Sequence, residues 1–123
     1  MTEFSFVLLY VDTPPKSADF YSGLLDKPVI ESSPTFCMLP LRDGVMLGLW
    51  KRDTVEPVPV GEPGSSEIAM TVGDAAAVDS TFADWKARGL IIAQPPTAMD
   101  FGRTFVALDP DGHRIRVFAP GAE

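Results

Sequence analysis

The sequence predicts an α+β fold of two βαβββ modules in tandem, their strands forming a curved mixed sheet around a cleft and their helices lying on its outer face. Three observations predict it. Ser5-Phe6-Val7-Leu8-Leu9-Tyr10-Val11 matches Ser66-Glu67-Ile68-Ala69-Met70-Thr71-Val72 in position and polarity, 61 residues further on. A stretch with helical spacing follows each copy. Val45-Met46-Leu47-Gly48-Leu49-Trp50 and His113-Arg114-Ile115-Arg116-Val117-Phe118 then repeat one another at a spacing of 68, an offset that one longer loop in the second half explains.

The elements follow in order. In the first strand Val7, Leu9 and Val11 are uniformly apolar and belong under a helix, which turns Phe6, Leu8 and Tyr10 toward the cleft. Thr13 before Pro14 offers an N-cap hydroxyl ahead of a proline at the first helical position, and Phe20, Tyr21, Leu24 and Leu25 recur at helical spacing. A strand and a hairpin marked by Arg42-Asp43-Gly44 lead to a last strand that aims Met46, Gly48 and Trp50 at the cleft. The first module is expected over 1–52. Residues 53–64, with three prolines and two glycines, suit an extended connector, and the second module is expected over 65–119.

In the second module Ile68, Met70 and Val72 form the helix-facing set, with Glu67, Ala69 and Thr71 opposite them. Asp74 caps a helix carrying Val78, Phe82 and Trp85 on one face, and Gly89 stops it. Pro95-Pro96-Thr97-Ala98-Met99-Asp100 argues against a long regular strand. It reads either as a loop over the cleft mouth with Phe101 as an aromatic wall, or as a bulge with ordinary core packing. Asp109-Pro110-Asp111-Gly112 marks the final turn, after which Arg114, Arg116 and Phe118 face the cleft. His113, at odds in parity with both arginines, reads as a surface turn residue.

A chain of 123 residues with 46% hydrophobic side chains suffices for one domain with a real core and is too short for two independent ones. Seventeen acids against ten bases give a net charge of −7, which argues against nucleic-acid or anionic-membrane partners. Cys37 is the single cysteine, and the N-terminal segment lacks the basic start of a signal peptide. A cytoplasmic protein is the expectation.

Val11 with Ser17-Ala18-Asp19-Phe20-Tyr21, and Asp109-Pro110-Asp111-Gly112-His113 near the end, set in this duplicated layout, resemble the vicinal oxygen chelate superfamily of glyoxalase I, extradiol dioxygenases and bleomycin resistance proteins. Leu47-Gly48-Leu49-Trp50 and Phe101-Gly102-Arg103-Thr104-Phe105, running into the final hairpin, are most similar to the phenazine antibiotic resistance proteins. The resemblance implies four metal-ligand positions, in the first and last strand of each repeat. They fall on Phe6, Gly48, Glu67 and Arg116. Two have no donor atom and one is a permanent cation, so no metal and no other cofactor is expected.

What stands there instead suggests a slot for a planar aromatic compound. Trp50 would stack on it, Gly48 would leave open space beside the indole, and Met46 would fill around the ligand. Phe6, Tyr10, Leu39, Phe101 and Phe105 complete the expected lining. For the third strand of each half, hairpin length decides parity: equivalent hairpins select Cys37 and Leu39 with Arg103 and Phe105, whereas a slip of one residue selects Phe36 and Met38. Arg116 or Arg103 would pair with a ligand carboxylate. Other readings stay open: Trp50 as a core or interface residue, Glu67 with Arg116 as a structural ion pair, and Cys37 as a small buried hydrophobe. The favoured function is metal-free sequestration of a phenazine-type antibiotic, conferring resistance, by a homodimer. The alternatives are a glyoxalase- or dioxygenase-like lyase or isomerase acting on a small oxygenated substrate, with Glu67 as a lone base and no assigned catalytic residue beyond it, and a bare interaction module.

Overall fold

Each half of the chain builds one four-stranded mixed sheet with one helix packed on it in the computed structural model, which describes residues 1–121. Two units result, Met1–Gly61 and Glu62–Glu123, and their boundary falls within the proline-rich segment.

The first unit runs β1 (Phe6–Val11), α1 (Pro14–Leu25), β2 (Glu31–Ser32), β3 (Phe36–Arg42) and β4 (Val45–Lys51), with sheet order β1-β4-β3-β2. β1 lies parallel to β4, and the other pairs are antiparallel. Residues paired in register share a face of the sheet. Val7, Leu9 and Val11 therefore lie with Leu47 and Leu49 of β4, and these with Leu39 and Cys37 of β3. Val11, Cys37, Leu39, Leu47 and Leu49 are wholly buried together with Ala18 and Tyr21 of α1, which makes this set the first core.

Thr13 sits at the N-cap of α1, but its side chain makes no cap hydrogen bond; its hydroxyl donates to the Asp12 carboxylate at 3.1 Å instead. Proline occupies both of the first two helical positions, so the second one offers no N–H for a cap to accept. After β4 the chain makes a short 3₁₀ turn over Arg52–Thr54, so the connector begins with regular structure where none was expected.

The second unit repeats the plan with β5 (Glu67–Thr71), α2 (Ala75–Ala87), β6 (Ile91–Met99), β7 (Gly102–Leu108) and β8 (Arg114–Pro120), in the order β5-β8-β7-β6. Asp74 caps α2 through its carboxylate, which accepts from the Ala77 N–H at 2.8 Å. Gly89, at φ 90°, follows the helix end, where the Leu90 N–H reaches the Trp85 carbonyl at 3.1 Å. Val78, Trp85, Phe105, Ile115 and Val117 are buried between α2 and the sheet.

Of the two readings of 95–100 the structure takes the bulge over the loop: β6 is a nine-residue strand that carries both prolines, longer than the sequence led one to expect. The register slips between Gln94↔Val106 and Thr97↔Thr104, so Pro95 and Pro96 fall where no ladder bond is made, on an edge strand that needs none outward. Only Asp100 and Phe101 then separate β6 from β7. Gly102 closes that turn at φ 138°, and a Cβ there would lie 2.0 Å from the Ala119 carbonyl oxygen.

Candidate functional site

Each sheet keeps one face turned away from its helix, and the two faces differ in chemistry. In the first unit this face carries Phe6, Leu8 and Tyr10 from β1, Met46, Gly48 and Trp50 from β4, and Phe36, Met38 and Pro40 from β3. None of the nine carries a charge. Phe6, Leu8, Phe36 and Trp50, with Glu31 of β2, line a concavity of about 490 Å³ open to solvent. Phe6 is 39% exposed and Leu8 43%, a marked exposure for large apolar side chains on a sheet. The Tyr10 ring meets Trp50 edge to face at 6.1 Å, which steadies the indole from the side.

Gly48 is buried, and the space above it is filled. A Cβ there would lie 2.6 Å from Leu8 Cδ2 and 3.0 Å from Phe36 Cζ. The expected gap beside Trp50 does not exist. The glycine instead lets two side chains lie flat on the strand and makes the floor of the concavity continuous.

Leu39 is a correction: it is wholly buried under α1, and Phe36 takes the place expected of it. The register slips between Pro40 and Arg42 at the β3–β4 turn, and that slip selects the second of the two parities left open by the sequence.

In the second unit the face away from α2 carries Glu67, Ala69 and Thr71, Arg114, Arg116 and Phe118, Thr104 and Val106, with Gln94 on β6. Arg116 organises it. Its Nε and Nη2 donate to the two Glu67 oxygens at 2.7 and 2.9 Å, and its Nη1 donates to Thr104 Oγ1 at 3.1 Å and Gln94 Oε1 at 3.3 Å. The Thr104 hydroxyl in turn donates a hydrogen bond to the Val117 carbonyl at 2.9 Å. The hydrogen bonds that Glu67 accepts from Arg116 hold its carboxyl below the ordinary range, and the carboxylate raises Arg116 in turn. The Phe101 ring lies under Arg116, 5.9 Å from the guanidinium carbon, and edge to face with Phe118 at 5.8 Å. Phe101 thus stands beside the polar face as an aromatic neighbour of the arginine.

Arg103 and Phe105 are corrections of the same kind as Leu39. Phe105 is wholly buried, with Phe82 and Trp85 of α2 edge to face at 5.6 and 5.4 Å. Arg103 turns to the helix side and pairs with Asp79 at 2.8 Å. Alternation along β7 puts Thr104 and Val106 on the other face instead. Cys37 is buried, and its thiol faces the Ser32 hydroxyl and the Ser33 carbonyl. Sequence reasoning left Leu8, Phe36, Gln94 and Arg114 out of the candidate set, although strand alternation already assigned Leu8 and Arg114 to this side.

The metal positions implied by the resemblance do not fit an ion. Phe6 and Gly48 offer no donor, and both oxygens of Glu67 are occupied by Arg116. Among the described residues no cluster of three or more His, Cys, Asp or Glu side chains is placed to ligate one. No helix is long and apolar enough to cross a membrane.

The family model of the glyoxalase/bleomycin resistance protein/dioxygenase superfamily matches residues 3–117. The phenazine antibiotic resistance protein EhpR of Enterobacter agglomerans is 33% identical over 114 residues, covering 89% of this chain and 86% of that protein. A protein of Agrobacterium tumefaciens with a solution NMR structure is 50% identical, with a TM-score of 0.88 over 99% of this chain and 100% of that one. A glyoxalase-related enzyme from Fulvimarina pelagi, 22% identical with a TM-score of 0.81 over 97% of this chain and 88% of that one, shares the fold. With two βαβββ units in tandem and a family match running from before β1 into β8, the chain belongs to the glyoxalase/bleomycin resistance protein/dioxygenase superfamily.

Proposed function

We propose that the protein is a metal-free, resistance-type member of its superfamily that sequesters a planar aromatic compound such as a phenazine. The observation that carries the reading is the largely apolar concavity of about 490 Å³ on the first sheet, walled by Trp50, floored by Leu8 and Phe36, and with Glu31 as its one charged lining residue. A flat ligand would stack on the indole and bury the exposed edges of Phe6 and Leu8. The likeness to EhpR, whose name states phenazine resistance, supports the same ligand class. No acid–base pair lies on this face, and a lyase or isomerase mechanism would need one or a metal.

Fluorescence titration with phenazine tests the proposal. Trp50 is expected to be quenched while the buried Trp85 serves as internal reference. Trp50→Ala should weaken binding by on the order of tenfold, from lost stacking and lost area. Unchanged emission and no calorimetric heat up to the solubility limit would refute it. A second copy of the chain would cover the same apolar edges, so sedimentation velocity belongs beside the titration, to show whether a homodimer forms and whether ligand alters it.

A further inference from the structure

We propose that Asp43 is a site of spontaneous backbone modification, at which the chain isomerises to isoaspartate, and that the fold protects the same dipeptide at Asp111. The proposal goes beyond ligand binding and does not rest on it. Asp-Gly occurs twice in the chain, at 43–44 and at 111–112, each time in the turn before the last strand of its unit. The sequence makes the two equivalent. Their surroundings do not.

The reaction has two steps. The Gly44 nitrogen attacks Cγ of the protonated Asp43 carboxyl; a C–N bond forms, and the carboxyl hydroxyl leaves with the amide proton as water. Water then adds to the cyclic succinimide. When the bond from nitrogen to the former α-carbonyl breaks, the backbone runs through Cβ and Cγ and the α-carboxylate is set free; when the new bond breaks, aspartate returns. No oxidant or reductant takes part. What the fold controls is whether the nitrogen is free to move onto Cγ and whether the following side chain stands in its way. Glycine removes the second obstacle at both turns.

At the first turn nothing holds the nitrogen. Arg42 pairs with Val45, so Asp43 and Gly44 are the whole of a two-residue loop, and both are exposed. Among the described residues no acceptor takes the Gly44 N–H, and no donor engages the Asp43 carboxylate. A Cβ on Gly44 would meet nothing within 4 Å, so the ring has room to close.

At the second turn the nitrogen is engaged. The Gly112 N–H donates to the Asp109 carbonyl at 3.1 Å. The Asp109 carboxylate, on a residue only 3% exposed, accepts from the N–H groups of Asp111 and His113, both at 2.9 Å. These bonds fix the backbone on both sides of Asp111. Asp111 and Gly112 are half-buried, and Pro63 stands 3.9 Å from where a Cβ of Gly112 would lie. Attack there requires the turn to open first.

The full chain, incubated at neutral pH both folded and in urea, tests the proposal, with electron-transfer mass spectrometry of its peptides and labelling by an isoaspartate O-methyltransferase as readouts. In the folded chain isoaspartate should accumulate at 43 on the order of tenfold faster than at 111, the effect of one amide hydrogen bond that has to break. In urea the two rates should converge, because the reacting atoms are the same. Asp43→Glu, whose longer carboxyl closes the ring far less readily, should remove most of the methyl label from the folded chain. Equal rates at the two sites in the folded chain, a difference that persists in urea, isoaspartate at 43 that forms only in urea, or label retained in Asp43→Glu would overturn the proposal.

Discussion

At the scale of single residues, the Glu67–Arg116 pair shows how two positions at which the resemblance implies metal ligands are tied into the scaffold. Thr104, Gln94 and Glu67 together satisfy most of one guanidinium, and the network ties β5, β6, β7 and β8 together through a single side chain. The Glu67 carboxyl is held below its ordinary value of 4.5 chiefly by its hydrogen bond to Arg116. A depressed folded value means stability that is present in full above pH 4.5 and is lost as pH falls through the lower, folded-state value. Glu67→Gln should therefore unfold about 1 kcal/mol more easily in urea at pH 7, a figure kept small because the pair is partly solvated, and the gap to the parent should close as acid protonates the carboxylate below its ordinary range. A gap that persists at acid pH would mean that the side chain acts through packing. The pair was legible from strand alternation, since Glu67 and Arg116 stand two places apart in register on one face of parallel strands. The further bonds from Arg116 to Gln94 and Thr104 were not, because hydrogen-bond partners on β6 depend on a bulge that spacing does not reveal.

At the scale of elements, the two helix starts contrast what a motif promises and what the backbone allows. Both Thr13 and Asp74 are residue types that cap helices, yet only Asp74 makes the bond. Asp74→Ala should cost about 1 kcal/mol, whereas Thr13→Ala should cost less than about 0.5 kcal/mol, because the prolines after it already set the backbone and remove a donor. Equal losses in denaturant unfolding would show that Thr13 matters through some other contact. The strands follow the same logic. Alternation in β1, β4, β5 and β8 was readable because each sits in the middle of a clear apolar period, and their faces came out as expected. β3 and β7 were misassigned at Leu39, Arg103 and Phe105, since the face of each strand is set at its hairpin: β3 slips by one residue between Pro40 and Arg42, whereas β7 pairs with β8 without a slip and takes its parity from the five-residue turn between Leu108 and Arg114. A strand after α2 was expected, but its extent through the two prolines was not, because adjacent prolines argue against a long strand until its bulged edge position is known.

At the scale of the whole chain, the duplication was the most legible feature, and it also bears on the question of metal. A repeat of offset 61 in the first strands and 68 in the last ones places equivalent positions without any structure, and the observed pairings agree: Leu8 stands beside Gly48 as Ala69 stands beside Arg116. The positions at which the superfamily resemblance implies ligands are thereby located in both units. In the first unit they hold a benzyl ring and a bare backbone, and in the second an acid and the base that neutralises it. An ion would have to displace Arg116 from both Glu67 oxygens and would then gain one carboxylate, while the guanidinium stayed close by and repelled it. Zinc, nickel, manganese or iron(II) added in excess should therefore move the thermal unfolding midpoint by less than about 1 °C. A resident ion held at a hundred times its dissociation constant would add about 2.7 kcal/mol, which for a chain of this length is on the order of 10 °C. A shift of that size, removed by chelator and abolished by Glu67→Gln, would restore the enzyme reading and place Glu67 on the metal in preference to Arg116.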